Sequence, residues 1–136
     1  MANYGLYSKI EPSNITSALE SLEKDVNSTK TDLNTLKTGL TDSVWKANSK
    51  NTLISAFDKI NGEVCDDINK YISNLKTIAS YITNYKSAEA SANEYQEKIS
   101  KATEKTPQST ISEWNRLKAE CEKTMTECEN KINSLK

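Results

Sequence analysis

The chain has 136 residues, of which 35% are hydrophobic and 27% charged, with 18 basic residues against 19 acidic ones. Its length predicts one domain, with at most an added extension. Three glycines and two prolines are too few for the turns of a β-sandwich or for a glycine-rich phosphate-binding loop. The long intervals between these five residues favour helix.

The balanced charge also excludes several functional classes. There is no basic stripe and the only arginine is Arg116, so nucleic-acid binding is not expected. No apolar run is long enough to span a membrane. The N-terminus lacks the apolar core of a signal peptide, so we expect either cytoplasmic residence or export without a cleaved signal.

Chemistry at a metal or catalytic centre is not expected either. The chain has no histidine, and no Cys-x-x-Cys spacing offers a zinc site. Cys65, Cys121 and Cys128 follow the helical pattern, which predicts buried small hydrophobes. We therefore expect neither enzymatic activity, nor a metal, nor a cofactor.

The first predicted helix begins after Pro12 and ends near Gly39, before a turn that reaches about residue 48. Its apolar positions alternate in steps of four and three, with one polar interruption at Thr29. Such a heptad seam is typical of helices that pack side by side. The seam consists of Ile15, Leu19, Leu22, Val26, Thr29, Leu33, Leu36 and Leu40.

The second predicted helix is longer and has a wider apolar face, so we expect it to contact two neighbours. Its main seam shows two successive steps of four around Val64, a phase slip in the heptad pattern. The main seam consists of Leu53, Phe57, Ile60, Val64, Ile68, Tyr71, Leu75, Ile78, Ile82 and Tyr85, and a weaker stripe of Ile54, Cys65, Ile72 and Ala79. Few apolar residues follow Tyr85, and the helix either continues straight or bends near residues 87–92.

A third helix is predicted near Pro107. Thr110 and Glu113 fit a capping box, and Pro107 also suits a first helical turn. Its seam runs through Ile111, Trp114, Leu117, Cys121, Met125, Cys128, Ile132 and Leu135. The prediction is an all-α fold: an elongated antiparallel hairpin with Trp45 in its turn, plus a C-terminal helix. The expected segments are an N-terminal tail (1–12), a helical hairpin (13–105) and a C-terminal helix that packs back on the second helix (106–136).

The turn suggests a family. Trp45-Lys46-Ala47 between two long helices, followed by Phe57 in the second, resembles the WXG hairpin superfamily, whose members leave Gram-positive bacteria and mycobacteria by type VII (ESX-like) secretion. Ala47 occupies the position of the family's glycine. The chain extends beyond the minimal hairpins and in this is similar to the helical partner proteins that accompany LXG-domain toxins.

This resemblance implies an export signal of the form Tyr-x-x-x-Asp/Glu near the end of the second helix. Tyr85 and Glu89 match it, and together with Trp45 and Ala47 they form the expected composite signal. A partner-binding role is expected for exposed or interface positions on the helices. The candidates are Phe57, Ile68, Ile72, Tyr81 and Trp114.

The resulting hypothesis is a non-enzymatic protein that type VII secretion exports or that assists this secretion. It would bind a helical partner, such as an LXG-toxin domain or another hairpin, or form a homo-oligomer. The alternative is an intracellular coiled-coil assembly module, for example of a phage or a cytoskeleton. Glu63, Asp66 and Asp67 cluster on one turn, and Lys59 and Lys70 lie four residues from Glu63 and Asp66. This spacing predicts a solvated salt-bridged face and not a cation site.

Overall fold

The structure is a computed structural model that describes residues 2–42 and 48–135. It contains four α-helices, α1 (Pro12–Asp42), α2 (Asn48–Lys59), α3 (Cys65–Ser100) and α4 (Gln108–Ser134), and a π-helical turn (Ile60–Val64) that joins α2 to α3. Within the described ranges there is no strand. The all-α prediction is therefore confirmed, whereas the turn that contains Trp45 lies outside the described residues.

The first helix begins at Pro12 itself, just before the predicted start, and its predicted end at Gly39 is wrong, because α1 continues to Asp42. A glycine inside a helix costs only about 1 kcal/mol relative to alanine. Leu36 and Leu40 continue the apolar pattern on both sides of Gly39. One glycine is therefore too weak a signal to end a helix whose apolar pattern continues on both sides of it.

The predicted capping box of α4 is also wrong. Pro107 is the N-cap, without any side-chain cap hydrogen bond. The backbone N–H groups of Thr110 and Ile111 donate to the Pro107 carbonyl at 3.0 and 3.2 Å. Thr110 consequently lies inside the first turn, where its hydroxyl is past the position at which a cap acts.

The phase slip predicted at Val64 coincides with the π-helical turn. The Cys65 N–H donates to the carbonyl of Ile60, five residues earlier, which is the π pattern. Such a turn holds one residue more than an α-helical turn. It therefore absorbs the extra residue in the heptad pattern and changes which apolar stripe of α3 faces its neighbour.

The chain divides into two compact units, which we call the terminal unit (residues 1–14 and 77–136) and the central unit (residues 15–76). Both α1 and α3 contribute residues to both units. Helix α3 continues through residues 87–92 without interruption. The alanine- and serine-rich stretch there is thus helical, as alanine's high helix propensity favours.

In the central unit, α1 packs antiparallel against α2 and α3. Its buried core consists of Leu19, Val26, Cys65 and Ile72, with Ile15 against it. Polar contacts join the helices in an antiparallel order: Lys37 with Asp58, Asn34 with Asn61, Lys30 with Asp66, Asn27 with Asn69 and Glu23 with Lys76. The residue numbers of the partners on α2 and α3 rise as those on α1 fall, as antiparallel helices require.

In the terminal unit, α4 packs against α3, and the N-terminal segment (residues 2–10) completes the core. The core consists of Tyr85, Ala92, Met125 and Cys128, surrounded by Ala2, Tyr7, Tyr81, Ala88 and Cys121. The Tyr7 and Tyr85 rings meet edge to face, with centroids 4.8 Å apart. Residues predicted only as a tail are thus part of the packing.

The seam predicted for the second helix is only partly buried. Its weaker stripe supplies the core, since Cys65, Ile72 and Ala79 are buried. Tyr71, expected with Tyr85 in the buried seam, is instead 68% exposed. Among the described residues of the central unit, α1 is the neighbour of α3, and α3 buries the stripe that faces α1.

Candidate interaction surface

The central unit leaves a row of large apolar side chains exposed. They belong to both helical layers of the unit. We call them the open face: Leu22 and Leu36 on α1, Ile60 and Val64 in the π-helical turn, and Ile68, Tyr71 and Leu75 on α3. Leu53 on α2 is exposed as well. Contiguous exposed apolar surface of this kind is typical of protein interaction sites.

The position of the open face follows from helix geometry. Glu23 on α1 forms an ion pair with Lys76 on α3. Leu22 is the residue before Glu23, and Leu75 is the residue before Lys76. Leu36 likewise precedes Lys37, which pairs with Asp58 at 2.7 Å. One residue turns an α-helix by about 100°. The polar contacts therefore lie on one side of the helix pair, and the apolar side chains lie together on the opposite side.

The structure locates the residues of the expected export signal as follows. Trp45 and Ala47 lie outside the described residues. Tyr85 is fully buried, and the Glu89 carboxylate accepts a hydrogen bond from the Gly5 N–H. Gly5 has a φ of 73°, a left-handed conformation that glycine adopts without strain. The N-terminal segment thus covers Tyr85 and Glu89.

Further contacts fasten this segment to both long helices of the terminal unit. The Asn3 amide donates to the Glu129 carboxylate at 2.9 Å, and the Tyr4 hydroxyl donates to Glu122 at 2.6 Å. On the α3 side, the Lys86 ammonium donates to the Ile10 carbonyl at 2.7 Å. These contacts hold the segment across α3 and α4.

The packed phenols of the terminal unit favour the neutral state. Burial raises the pKa of Tyr85, Glu89 and Glu129 act in the same direction, and the nearby Leu6 N–H opposes them. The Tyr85 hydroxyl nevertheless lacks a hydrogen-bond partner of normal geometry. Burial, followed by the hydrogen bond to Glu122, also raises the pKa of Tyr4.

The five predicted partner-binding residues have different surroundings. Ile68 is exposed and belongs to the open face, and Phe57 on α2 is half-buried. Ile72 is only 2% exposed because it lies in the core of the central unit. In the terminal unit, Tyr81 packs beside Lys131, whose ammonium lies 5.2 Å from the ring centroid, and Trp114 is half-buried.

The acidic and cysteine clusters have structural surroundings. Asp66 pairs with Lys30 at 2.6 Å, and no group of potential metal ligands occurs among the described residues. The three cysteines are free thiols. Cys65 and Cys128 are buried as predicted and Cys121 is half-buried, and burial raises the pKa of both Cys121 and Cys128. Raised thiol pKa values disfavour the reactive thiolate.

None of the described helices has the length and apolar character needed to cross a membrane. Comparisons with known protein families, with characterised proteins and with solved structures find no match. The surfaces of the chain itself are therefore the evidence for its function.

Sequence reasoning missed two parts of these surfaces. Leu22, Leu36 and Leu75 were expected in a buried seam. The heptad pattern did not distinguish seam residues that face a neighbouring helix from seam residues that are exposed to solvent. The role of residues 2–10 was also missed, because they lack periodicity. Their tyrosines, Tyr4 and Tyr7, were the available signal, since tyrosine often packs with a polar end exposed.

Proposed function

We propose that this chain is a non-enzymatic helical binding protein that is exported by, or assists, a type VII secretion system. Its partner is a helical protein, such as the N-terminal domain of an LXG toxin or another hairpin protein. The observation that carries the binding part is the open face of the central unit. The export part is based on the resemblance at Trp45 and at Tyr85 with Glu89.

The open face supports partner binding for a physical reason. A pair of helices buries one stripe of each helix, whereas a bundle of three or four helices also buries the neighbouring stripes. The exposed leucines and isoleucines of α1 and α3 are the stripes that such neighbours would cover. Full burial of an exposed leucine or isoleucine is worth about 1.5–3 kcal/mol, and because these side chains are already about half buried, covering each would contribute roughly half of that.

Export would depend on the composite signal of Trp45, Ala47, Tyr85 and Glu89 after assembly in the cytoplasm. Because Tyr85 is buried and Glu89 holds the Gly5 N–H, direct recognition of these two side chains requires displacement of the N-terminal segment. Alternatively, the secretion machinery could recognise the surface that the N-terminal segment and α3 form together. In that case the segment would stay in place.

Secretion assays on variants test the proposal. We expect Trp45→Ala and Glu89→Ala to abolish export while the far-ultraviolet circular dichroism stays helical. Glu89→Gln separates two causes, since it removes the charge but keeps an acceptor for the Gly5 N–H. Glu104→Ala, an exposed position between α3 and α4, is the control. Normal secretion of the Trp45 and Glu89 variants would refute the export role.

The rival function is an intracellular coiled-coil assembly module, for which the open face would be a homo-oligomer contact. It predicts self-association and localisation that does not depend on Trp45. Neighbouring genes for a secretion ATPase and a toxin would support export, whereas capsid or tail genes would support the assembly module.

A further inference from the structure

The charges around the open face differ from one side of the helix pair to the other. On the side of the polar contacts, Lys30, Lys37 and Lys76 each pair with a carboxylate of the opposite helix. The outer edges of the open face are acidic instead: Asp25 and Asp32 on α1, Glu63 in the π-helical turn and Asp67 on α3. All four side chains are exposed.

Helix periodicity sets these positions. Asp25 follows Leu22 by three residues, and Asp67 follows Val64 by three, so each lies beside the open face on the side away from the core. Lys24 and Lys70 lie farther round, on the side of each helix opposite the core. In the described part of the chain, none of the four acidic edge residues is in an ion pair. Lys59 lies four residues before Glu63 and Lys70 three residues after Asp67, whereas Asp25 and Asp32 on α1 have no lysine at such a spacing. The apolar open face thus has a border with more acidic than basic residues, and its negative charge is strongest along α1.

From this arrangement we propose that the open face binds an amphipathic helix whose apolar seam is bordered by lysine or arginine. The apolar rows of α1 and α3 form the two walls that such a helix would contact. The acidic edges would then meet its basic borders, which gives complementary potentials across the interface. This inference deepens the proposed binding function by naming the chemistry of the partner.

A second copy of the chain fits the face less well. In a symmetric dimer the same patch lies on both subunits, so the acidic edges of one copy would meet those of the other. Like charges opposed across an interface disfavour the wrong partner. The negative border therefore favours a basic helix over self-association.

Two synthetic helices test the inference with the full chain. Both carry a leucine heptad seam, and their edge positions are lysine in one and glutamate in the other. We expect fluorescence anisotropy to detect binding of the lysine-edged helix about tenfold tighter than the glutamate-edged one, with the difference declining as salt screens the charges. Equal affinities for the two peptides would overturn the proposed chemistry.

Variants locate the binding site. Ile68→Ser combined with Leu75→Ser should weaken binding of the lysine-edged helix by about tenfold or more. The matched control is Leu6→Ser in the terminal unit, because Leu6 and Leu75 are equally exposed, at 46%. Unchanged binding by the double variant would overturn the site.

Charge-reversal variants test the binding site a second time, without removing any of its apolar side chains. Asp25→Lys with Asp67→Lys should lower the affinity for the lysine-edged helix by roughly tenfold and raise that for the glutamate-edged one. Glu104→Lys should change neither affinity. A chain that self-associates through the open face, and that Ile68→Ser with Leu75→Ser renders monomeric, would also overturn the proposal. Export is measured separately in cells, so its loss or retention does not decide these binding results.

Discussion

The terminal and central units use the same long helix α3 in different packing environments. In the terminal unit, α3 contacts both α4 and the N-terminal segment, and among the residues described there the exposed large apolar side chains are Tyr4 and Leu6. In the central unit, α1 covers one stripe of α3, and eight large apolar side chains are exposed among the residues described there. Helical periodicity is similar in both parts of α3.

A heptad seam therefore specifies how much apolar surface a helix carries, but not how much of that surface the chain itself buries. Coverage depends on the number of neighbouring segments. Residues 2–10 act as the third segment in the terminal unit, and the central unit has no equivalent in the described part of the chain. The unmatched surface is consistent with a binding role for the central unit.

The largest effect should distinguish two tyrosines of α3. Tyr85 has no exposed surface, whereas Tyr71 is 68% exposed. Truncation of a buried large aromatic residue costs about 3–5 kcal/mol, so we expect Tyr85→Ala to lower the free energy of unfolding by that amount. Tyr71→Ala should change it by less than about 0.5 kcal/mol, as is usual for exposed sites. Urea unfolding monitored by circular dichroism measures both.

Tyr85→Phe is the control for the phenol itself. Because the Tyr85 hydroxyl lacks a hydrogen-bond partner of normal geometry, its removal should be nearly neutral, within about 0.5 kcal/mol. Equal losses for Tyr85→Ala and Tyr71→Ala would show that the two units do not differ in packing as described.

The next largest effect concerns alkaline pH and the terminal unit. Burial raises the pKa of Tyr4, Tyr7 and Tyr85, so the folded state binds their protons more tightly than the unfolded state. Their contribution to stability is therefore fully present below the unfolded pKa, about 10, and is lost as pH rises through the folded values. Urea midpoints measured on both sides of about pH 10 should fall with pH.

Tyrosine-to-phenylalanine variants check this cause. Tyr4→Phe combined with Tyr7→Phe removes two of the titrating groups, so the fall in midpoint above about pH 10 should become shallower. A pH dependence identical to that of the parent chain would assign the effect to other groups.

Much of the fold could be predicted from sequence because the heptad steps are long and regular. The all-α class and the slip at Val64 follow directly from these steps, and Pro12 indicates where α1 starts. The π-helical turn then decides the stripe that α3 buries, and this choice depends on packing with α1. The main seam and the weaker stripe of the second predicted helix both have helical spacing. The pattern therefore could not show that the weaker stripe, with Cys65 and Ile72, forms the core.

The candidate surface was less predictable for two reasons. An apolar residue such as Leu22 or Leu75 contributes to the sequence pattern in the same way whether it lies in the core or on the open face. The N-terminal segment is held by individual contacts, such as Tyr4 with Glu122, and these leave no periodic trace. The export residues rest on resemblance, and two of them, Trp45 and Ala47, lie outside the described residues.

The smallest effects should have opposite signs at two glycines, one in each unit. Gly5 has a positive φ, and an alanine in the left-handed region costs roughly 1–2 kcal/mol. Gly39 lies inside α1 with nothing within 4 Å of an added methyl group, so an alanine there should stabilise by about 0.5–1 kcal/mol. Urea unfolding of Gly5→Ala and Gly39→Ala measures the two signs.

Hydrogen exchange would assign each effect to its unit. Gly5→Ala should speed amide exchange around Tyr85, because the N-terminal segment that covers it is strained, and should leave α1 beyond Ile15 unchanged. Gly39→Ala should slow exchange near the C-terminal end of α1 and leave Tyr85 unchanged. Slower exchange around Tyr85 in the Gly5 variant would contradict the role of the N-terminal segment, since that role requires the left-handed backbone at Gly5 to hold the segment over α3.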